Sequence, residues 1–240
     1  MNKGNVFIIG GSRGIGAEMV RLFAKNGYRV AFTYAHAQDA AKALNTETGA
    51  LPILADSLSF REMDRAMELF RNEIGKVDIL IANAAISKIG LFTDLSDREW
   101  NEMRQINLDA PMYYTRRMLP DMIEKKKGRI LLISSMWGQV GASCEVAYSV
   151  TKAALIGFTK ALAKEVGPSG ITVNAISPGV IATEMNAALD EDTLNALKDE
   201  TPLSRIGSPS DVARVALFLA EEGGDFITGQ VIAPNGGFVM

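Results

Sequence analysis

Tyr148 and Lys152 stand four residues apart in Tyr148-Ser149-Val150-Thr151-Lys152, with Ser135 upstream and a glycine-rich turn over Gly10–Gly16. On a helix, residues at this spacing share a face. An ammonium beside a phenol favours the phenolate, so the pair predicts a tyrosine pKa below its reference near ~10. A shift of about two units corresponds to roughly 3 kcal/mol. A phenol tuned in this way gives and takes protons near neutral pH. A glycine turn that holds a dinucleotide would bring a hydride donor to the same chain. Together these residues predict carbonyl/alcohol redox chemistry.

The turn follows an apolar run, Val6–Ile9, and leads into a helical stretch. Its sequence is Gly10-Gly11-Ser12-Arg13-Gly14-Ile15-Gly16, spaced G-x-x-x-G-x-G rather than G-x-G-x-x-G. Glycine lets a phosphate approach the backbone, and a helix N-terminus offers free N–H groups and the positive end of its dipole. An NAD site usually carries an acid after the second strand, to bind the ribose hydroxyls. Here Ala35 and His36 follow Tyr34, and no acid appears until Asp39. Arg13, in the turn, suits a 2′-phosphate. The expected cofactor is therefore NADP(H). Asp56 ends the third apolar run, where it either accepts from an adenine amino group or closes a strand-end turn.

These groups need a scaffold, and the pattern supplies one. Short Val/Ile/Leu-rich runs occur at Val6–Ile9, Val30–Tyr34, Leu51–Ala55, Val77–Ala82, Arg129–Ser134, Thr172–Ile176 and Gln230–Ala233. Near-continuous apolar content predicts strands buried on both faces, hence a parallel sheet. Helix-length segments alternate with them: Ile15–Asn26, Ser59–Ile74, Ser96–Glu124, Val146–Val166 and Pro209–Ala220. Ser96 with Glu99, and Ser208-Pro209 with Asp211, read as capped helix starts. The alternation predicts a doubly wound α/β sheet in one domain over residues 1–240. The segment 181–208 is the longest irregular stretch. It carries Met185, Leu189, Leu194 and Leu197 among acidic residues and reads as a substrate lid.

Pro111 adds a local constraint. In a continuous helix a proline leaves the carbonyl four residues back without its N–H partner and crowds it. That carbonyl belongs to Asn107, so a kink is predicted there, with the carbonyl available to another donor such as water.

Composition excludes several classes. The 240 residues carry a net charge of −3, which argues against nucleic acid as a partner. No apolar run is long enough to span a bilayer, and the N-terminus lacks a signal-peptide pattern. Cys144 is the only cysteine and His36 the only histidine. A Ser-His-Asp triad and a Cys/His metal site are thus not expected, and a reducing, cytoplasmic setting is.

Taken in order, these motifs resemble the short-chain dehydrogenase/reductase family over essentially the whole chain. The matching positions are the glycine turn, Asn83 in Ala82-Asn83-Ala84-Ala85, Asn107, Ser135, Tyr148, Lys152, Pro178-Gly179 and Thr183. The resemblance implies a single Rossmann-like domain with a seven-stranded parallel sheet, often in a homotetramer. It implies that Tyr148 is the general acid for reduction and Ser135 a hydrogen-bond donor to the substrate carbonyl. Lys152 would hold the nicotinamide ribose and lower the Tyr148 pKa, and Asn107 would anchor a water linked to Lys152. The implied cofactor contacts are Gly10, Ser12, Arg13, Gly14, Ile15, Gly16, Asp56, Asn83, Tyr148, Lys152, Pro178, Gly179, Ile181 and Thr183. Ile9, Ala85 and Asn235 depart from the threonine, glycine and aspartate frequent in the family.

Within the family the chain looks most like 3-oxoacyl-(acyl-carrier-protein) reductases. The likeness lies in Lys127-Gly128-Arg129-Ile130, Tyr148–Ala161, Gly170–Asn174, Pro178–Met185 and Ile227–Gln230. The expected reaction is NADPH-dependent reduction of a 3-oxoacyl thioester, on acyl carrier protein or coenzyme A. The alternatives are a dehydrogenase of another secondary alcohol or, from a different class, a non-catalytic NADP-binding regulator. Carrier protein is acidic, and Arg129 with Lys125–Lys127 is the candidate basic patch for it, although Ser169 stands where a second basic residue is frequent. Lys125–Lys127 also read as a solvated helix end. Trp137 reads either as an apolar pocket wall or as ordinary core or interface packing; Cys144 is expected to pack, and the small residues Ala153, Gly157 and Ala161 to face another subunit.

Overall fold

The computed structural model describes residues 2–186 and 190–240. Its strands are β1 (Asn5–Ile9), β2 (Arg29–Tyr34), β3 (Leu51–Leu54), β4 (Ile79–Ala82), β5 (Gly128–Ile133), β6 (Ile171–Ile176) and β7 (Val231–Ile232). They form one parallel seven-stranded sheet in the order β3-β2-β1-β4-β5-β6-β7. Each strand falls on a predicted apolar run. The near-continuous Val/Ile/Leu content is explained by burial on both faces: β4, β5 and β6 have no exposed residue.

The helices are α1 (Gly14–Lys25), α2 (Gln38–Thr48), α3 (Phe60–Glu73), α4 (Asp97–Arg104), α5 (Ala110–Lys125), α6 (Trp137–Val140), α7 (Val146–Val166), α8 (Glu191–Glu200) and α9 (Pro209–Ala220). One apolar layer joins Phe7 and Ile9 to Phe70 of α3, Tyr114 and Met118 of α5, and Leu155 and Leu162 of α7. The other joins Val6 and Ile8 to Met19 and Phe23 of α1, Leu44 of α2, and Val212 and Leu219 of α9. Alternate residues of β1 thus serve opposite faces, as the strand period requires.

The capping expectations hold in detail. Ser96 with Glu99 and Ser208 with Asp211 form reciprocal capping boxes at α4 and α9. α2 was not anticipated: its alanine-rich stretch has a weak apolar face, with only Ala41 and Leu44 buried. The predicted single helix over 96–124 is broken. Between α4 and α5, residues Gln105–Asp109 form a π-turn, and the Ala110 N–H donates to Gln105 O, five residues back. The predicted kink takes this form, which accommodates the N–H that Pro111 cannot supply.

Within the segment 181–208, α8 starts on an Asp190 cap that accepts from the Thr193 N–H. Leu189 lies outside the described residues. Ala153, Gly157 and Ala161 face outward from α7, and a Cβ on Gly157 would meet nothing within 4 Å. No helix among the described residues is long and apolar enough to cross a membrane, and no group of three potential metal ligands is found among them.

Candidate active site

The strand order reverses between β1 and β4, which opens a crevice at the C-terminal ends of these strands. The glycine turn follows β1, Asn83 follows β4, Ser135 follows β5 and Pro178 follows β6. The fold therefore brings the predicted residues to one edge.

The turn is fixed by backbone packing. Gly10 has φ +79, and a Cβ there would lie 2.7 Å from Ala84 Cα. Gly10 N–H donates to Thr33 Oγ1 at 2.9 Å and Gly11 N–H to Thr33 O at 2.9 Å. Asn83 Nδ2 donates to Gly10 O at 2.7 Å, which ties the end of β4 beneath the turn. A Cβ on Gly16 would collide with the Gly10 carbonyl and sit 2.7 Å from Asn83 Nδ2. These close approaches explain the glycines at 10 and 16. Thr33 makes two of the bonds that hold the turn, and nothing in its sequence context pointed to it.

The helix that leaves the turn lacks a side-chain cap, as do α2, α5, α6 and α7. α3, α4, α8 and α9 start on side-chain caps from Ser59, Ser96, Asp190 and Ser208. α1 has no side-chain cap and no acid in its first turn. Its Gly14-Ile15-Gly16 amides are thus presented at a positive dipole end, which fits a dinucleotide pyrophosphate. Ser12 and Ile15 are half-buried and Arg13 is exposed. Thr183 crosses over the turn, its Cγ2 3.2 Å from where a Gly14 Cβ would lie. Ile181 is buried and pairs with Gly207, which anchors this segment. Gly179 packs on the Asn235 backbone, while Pro178 O accepts from Met136 N–H at 3.0 Å. A cleft of about 700 Å³ extends from Gly14 and Thr183 past Glu18 and Arg21 to Leu194 and Lys198 of α8. Asp56 serves the strand-end turn: Oδ1 accepts from Leu58 N–H at 2.9 Å. His36 is exposed.

The catalytic candidates converge below. Lys152 is fully buried, and its Nζ donates to Ile133 O at 2.8 Å. The same nitrogen lies 5.6 Å from the Tyr148 ring centroid. Ser134 Oγ donates to Lys152 O at 2.8 Å, and a Cβ on Gly138 would sit 2.8 Å from Lys152 C. Gly138, missed in the sequence, lets the Ser135 segment press against α7. Ser135 is buried beside them and accepts from Trp137 N–H at 3.2 Å.

The electrostatics correct the sequence expectation. Burial pushes the Tyr148 phenol up to about 12; the Ser135 hydroxyl acts against this, and the Glu145 charge adds to it. Burial also lowers Lys152 to about 7. Spacing put the two side chains together, but desolvation disfavours the charged form of each, and that effect dominates. The phenol is held protonated rather than tuned toward phenolate.

Asn107 is fully buried at the π-turn. Its Oδ1 accepts from Ile86 N–H at 2.9 Å; its Nδ2 donates to Ile86 O at 2.8 Å and Thr151 Oγ1 at 3.2 Å. Thr151 in turn donates to Tyr148 O at 2.8 Å. The Asn107 side chain is thus a strut between the segment after β4 and the helix carrying Tyr148. Trp137, Ile86, Leu95, Trp100, Met103 and Ala147 pack around Tyr148, which makes Trp137 part of the wall on that side. Cys144 is half-buried with φ +61 and lies beside Leu91, Phe92 and Val146 in a small apolar depression.

The basic patch is divided: Lys125, Lys126 and Lys127 are exposed, whereas Arg129 is internal to the fold. Arg129 is only 8% exposed, pairs with Asp225, and donates to Gly128 O at 3.1 Å. Lys125 pairs with Asp78 at 2.7 Å.

Comparison with known proteins agrees with this geometry. The family described as Enoyl-(Acyl carrier protein) reductase matches residues 10–239. The chain belongs to the short-chain dehydrogenase/reductase family. It is similar to an acetoacetyl-CoA reductase of Shinella zoogloeoides, 40% identical over 231 residues and 96% of each chain. It is also 40% identical to a 3-oxoacyl-(acyl-carrier-protein) reductase of Aquifex aeolicus, over 98% of this chain and 97% of that one. Among solved structures, a mutant short-chain dehydrogenase/reductase of Serratia marcescens superposes with a TM-score of 0.93 at 32% identity, covering 99% and 98% of the two chains. A blue fluorescent protein from a metagenomic library, solved with NADPH, gives 0.92 at 34% identity, covering 100% and 99%. The chain is an oxidoreductase of CH-OH and C=O groups.

Proposed function

We propose that this protein is an NADPH-dependent reductase of 3-oxoacyl thioesters. One observation carries the reading: Ser135, Tyr148 and Lys152 converge beside an uncapped helix N-terminus at the reversal point of the sheet. Gly10, Ser12, Gly14, Ile15 and Gly16 would hold the pyrophosphate, and exposed Arg13 the 2′-phosphate. Asp56, Asn83, Pro178, Gly179, Ile181 and Thr183 would line the rest of the crevice. NADPH bound there supplies the hydride that reaches the 3-keto carbon.

The chain's own residues do the remaining work. Negative charge grows on the substrate oxygen, where the Ser135 and Tyr148 hydroxyls stabilise it. Tyr148, kept protonated by burial, gives its proton to that oxygen. Lys152, its Nζ held on Ile133 O and 5.6 Å from the Tyr148 ring centroid, would hold the nicotinamide ribose beside the phenol, as the family resemblance implies. Asn107 holds the segment at Ile86 against the catalytic helix, which keeps Tyr148 in position.

The two relatives described above bear names of 3-oxoacyl thioester reductases, which supports this substrate class. Burial of Arg129 supports the coenzyme A form over a carrier protein docked on that guanidinium. The outward Ala153, Gly157 and Ala161 face supports a homo-oligomer, with a tetramer expected, and the single cysteine supports a reducing, cytoplasmic setting. The test is NADPH oxidation with acetoacetyl groups on coenzyme A and on acyl carrier protein, with NADH in parallel. Fast, NADPH-selective turnover is expected. Tight NADPH binding without thioester turnover would move the assignment to another ketone or secondary alcohol.

A further inference from the structure

Glu145 is the residue before α7, three positions before Tyr148. Its carboxylate is half-buried, and Oε2 accepts from Ser87 Oγ at 2.6 Å. Ser87 follows Ile86, which packs in the cluster around Tyr148. The carboxylate is therefore fixed between the two segments that flank the phenol. No cation neutralises it among the described residues: neighbouring Lys88 pairs with Glu99, and Lys152 is committed to Ile133 O. The positive end of the α7 dipole favours a negative charge at this position. Its field reaches the site, since the Glu145 charge raises the Tyr148 phenol pKa beyond the larger effect of burial. The remaining oxygen, Oε1, has no protein donor among the described residues.

We propose that Glu145 is a specificity-determining charge filter, which selects neutral 3-oxo compounds over 3-oxo carboxylates at the Tyr148 site. This rests on the reading of Tyr148 as the proton donor to a ketone. In a free 3-oxo acid a single methylene separates the ketone carbon from the carboxylate. A ketone oxygen on Tyr148 Oη thus brings the substrate charge into the field of Glu145, where like charges repel. A thioester or ester at the same carbon carries no charge and meets no such penalty. The filter thereby favours activated acyl groups over the acids their hydrolysis releases.

The test compares ethyl acetoacetate with acetoacetate, scored by kcat/KM, or by inhibition constant where turnover is absent. The wild type should favour the ester at least tenfold beyond the ratio shown by Glu145→Gln. The Gln variant should gain chiefly through a lower KM for the anion, with the ester changed less than threefold. Glu145→Asp should keep the wild-type preference, which a purely structural role would not predict. Should Glu145→Gln fail to fold, the wild-type ratio is followed from low to high potassium chloride, where screening should narrow it. A ratio unmoved by both the Gln substitution and salt overturns the proposal, as does equal handling of the two probes by the wild type, including binding of neither. Acetoacetyl-coenzyme A turnover, measured alongside, separates this from the thioester reading. Ester preference without thioester turnover overturns that reading and leaves the filter standing.

Discussion

The glycine turn after β1 and the Tyr148–Lys152 pair on α7 share one edge of the sheet but are held by opposite means. The turn works through missing side chains. Backbone meets backbone, Gly10 against Ala84 and Gly16 against the Gly10 carbonyl, and the amides of α1 stay uncapped. The catalytic pair works through side chains taken out of water. Tyr148 is 8% and Lys152 2% exposed, and both are pushed toward their neutral forms. On the proposed reading, binding is built into backbone geometry, whereas proton transfer is built into desolvation.

The largest effect should come from the catalytic side. Tyr148→Phe should lower kcat by about 10²–10⁴-fold, the range for loss of a general acid, while NADPH affinity stays within about threefold. Unchanged turnover would remove Tyr148 from the chemistry. On the binding side, Gly16→Ala should weaken NADPH at least about tenfold and cost about 1–3 kcal/mol in urea unfolding, because the added methyl meets Asn83 and the Gly10 carbonyl. Wild-type affinity and stability in that variant would show that the turn is not sterically fixed. Asn107→Ala tests the support of the catalytic side, since it frees Ile86 and Thr151 together. A loss of about 1–3 kcal/mol is expected for those buried partners, with a fall in kcat at unchanged NADPH affinity. An effect on NADPH affinity alone would place the strut in the wrong region.

The pH dependence of the protein alone tests the same desolvation without substrate or cofactor. The folded Lys152 pKa of about 7 lies below its unfolded value near 10.5. Between these values the unfolded chain binds the extra proton, so stability should rise with pH from about 7 to 10, by at most about 1.4 kcal/mol per pH unit. The raised Tyr148 pKa acts in the opposite direction above about pH 10. Urea unfolding at pH 7, 8 and 9 reads the slope, and Lys152→Met should flatten it. A flat wild-type profile would show that Lys152 is not desolvated.

The same contrast explains what the sequence made legible. Strand positions followed from apolar runs because a doubly covered sheet buries nearly every strand residue. The helix starts at Ser96 and Ser208 followed from capping chemistry, and the glycine turn from spacing. Pro111 announced the disturbance at Asn107, because a missing N–H is a local fact. Its resolution as a π-turn depends on packing, which no local rule contains. Tyr148 and Lys152 were placed together by a spacing of four, but the direction of their pKa shifts was set by burial contributed from β5, α6 and the segment after β4. Thr33, Gly138, Thr151 and Glu145 act through partners distant in sequence, and their residue types are ordinary in their neighbourhoods.

The most direct test of the account is transfer of deuterium from NADPH carrying two deuterium atoms at C4 to acetoacetyl-coenzyme A, with the product analysed by mass spectrometry. The account predicts a 3-hydroxybutyryl product with one deuterium at C3, formed about 10²–10⁴-fold more slowly by Tyr148→Phe. A protein that binds NADPH yet forms no such product, or places deuterium at another carbon, would contradict it.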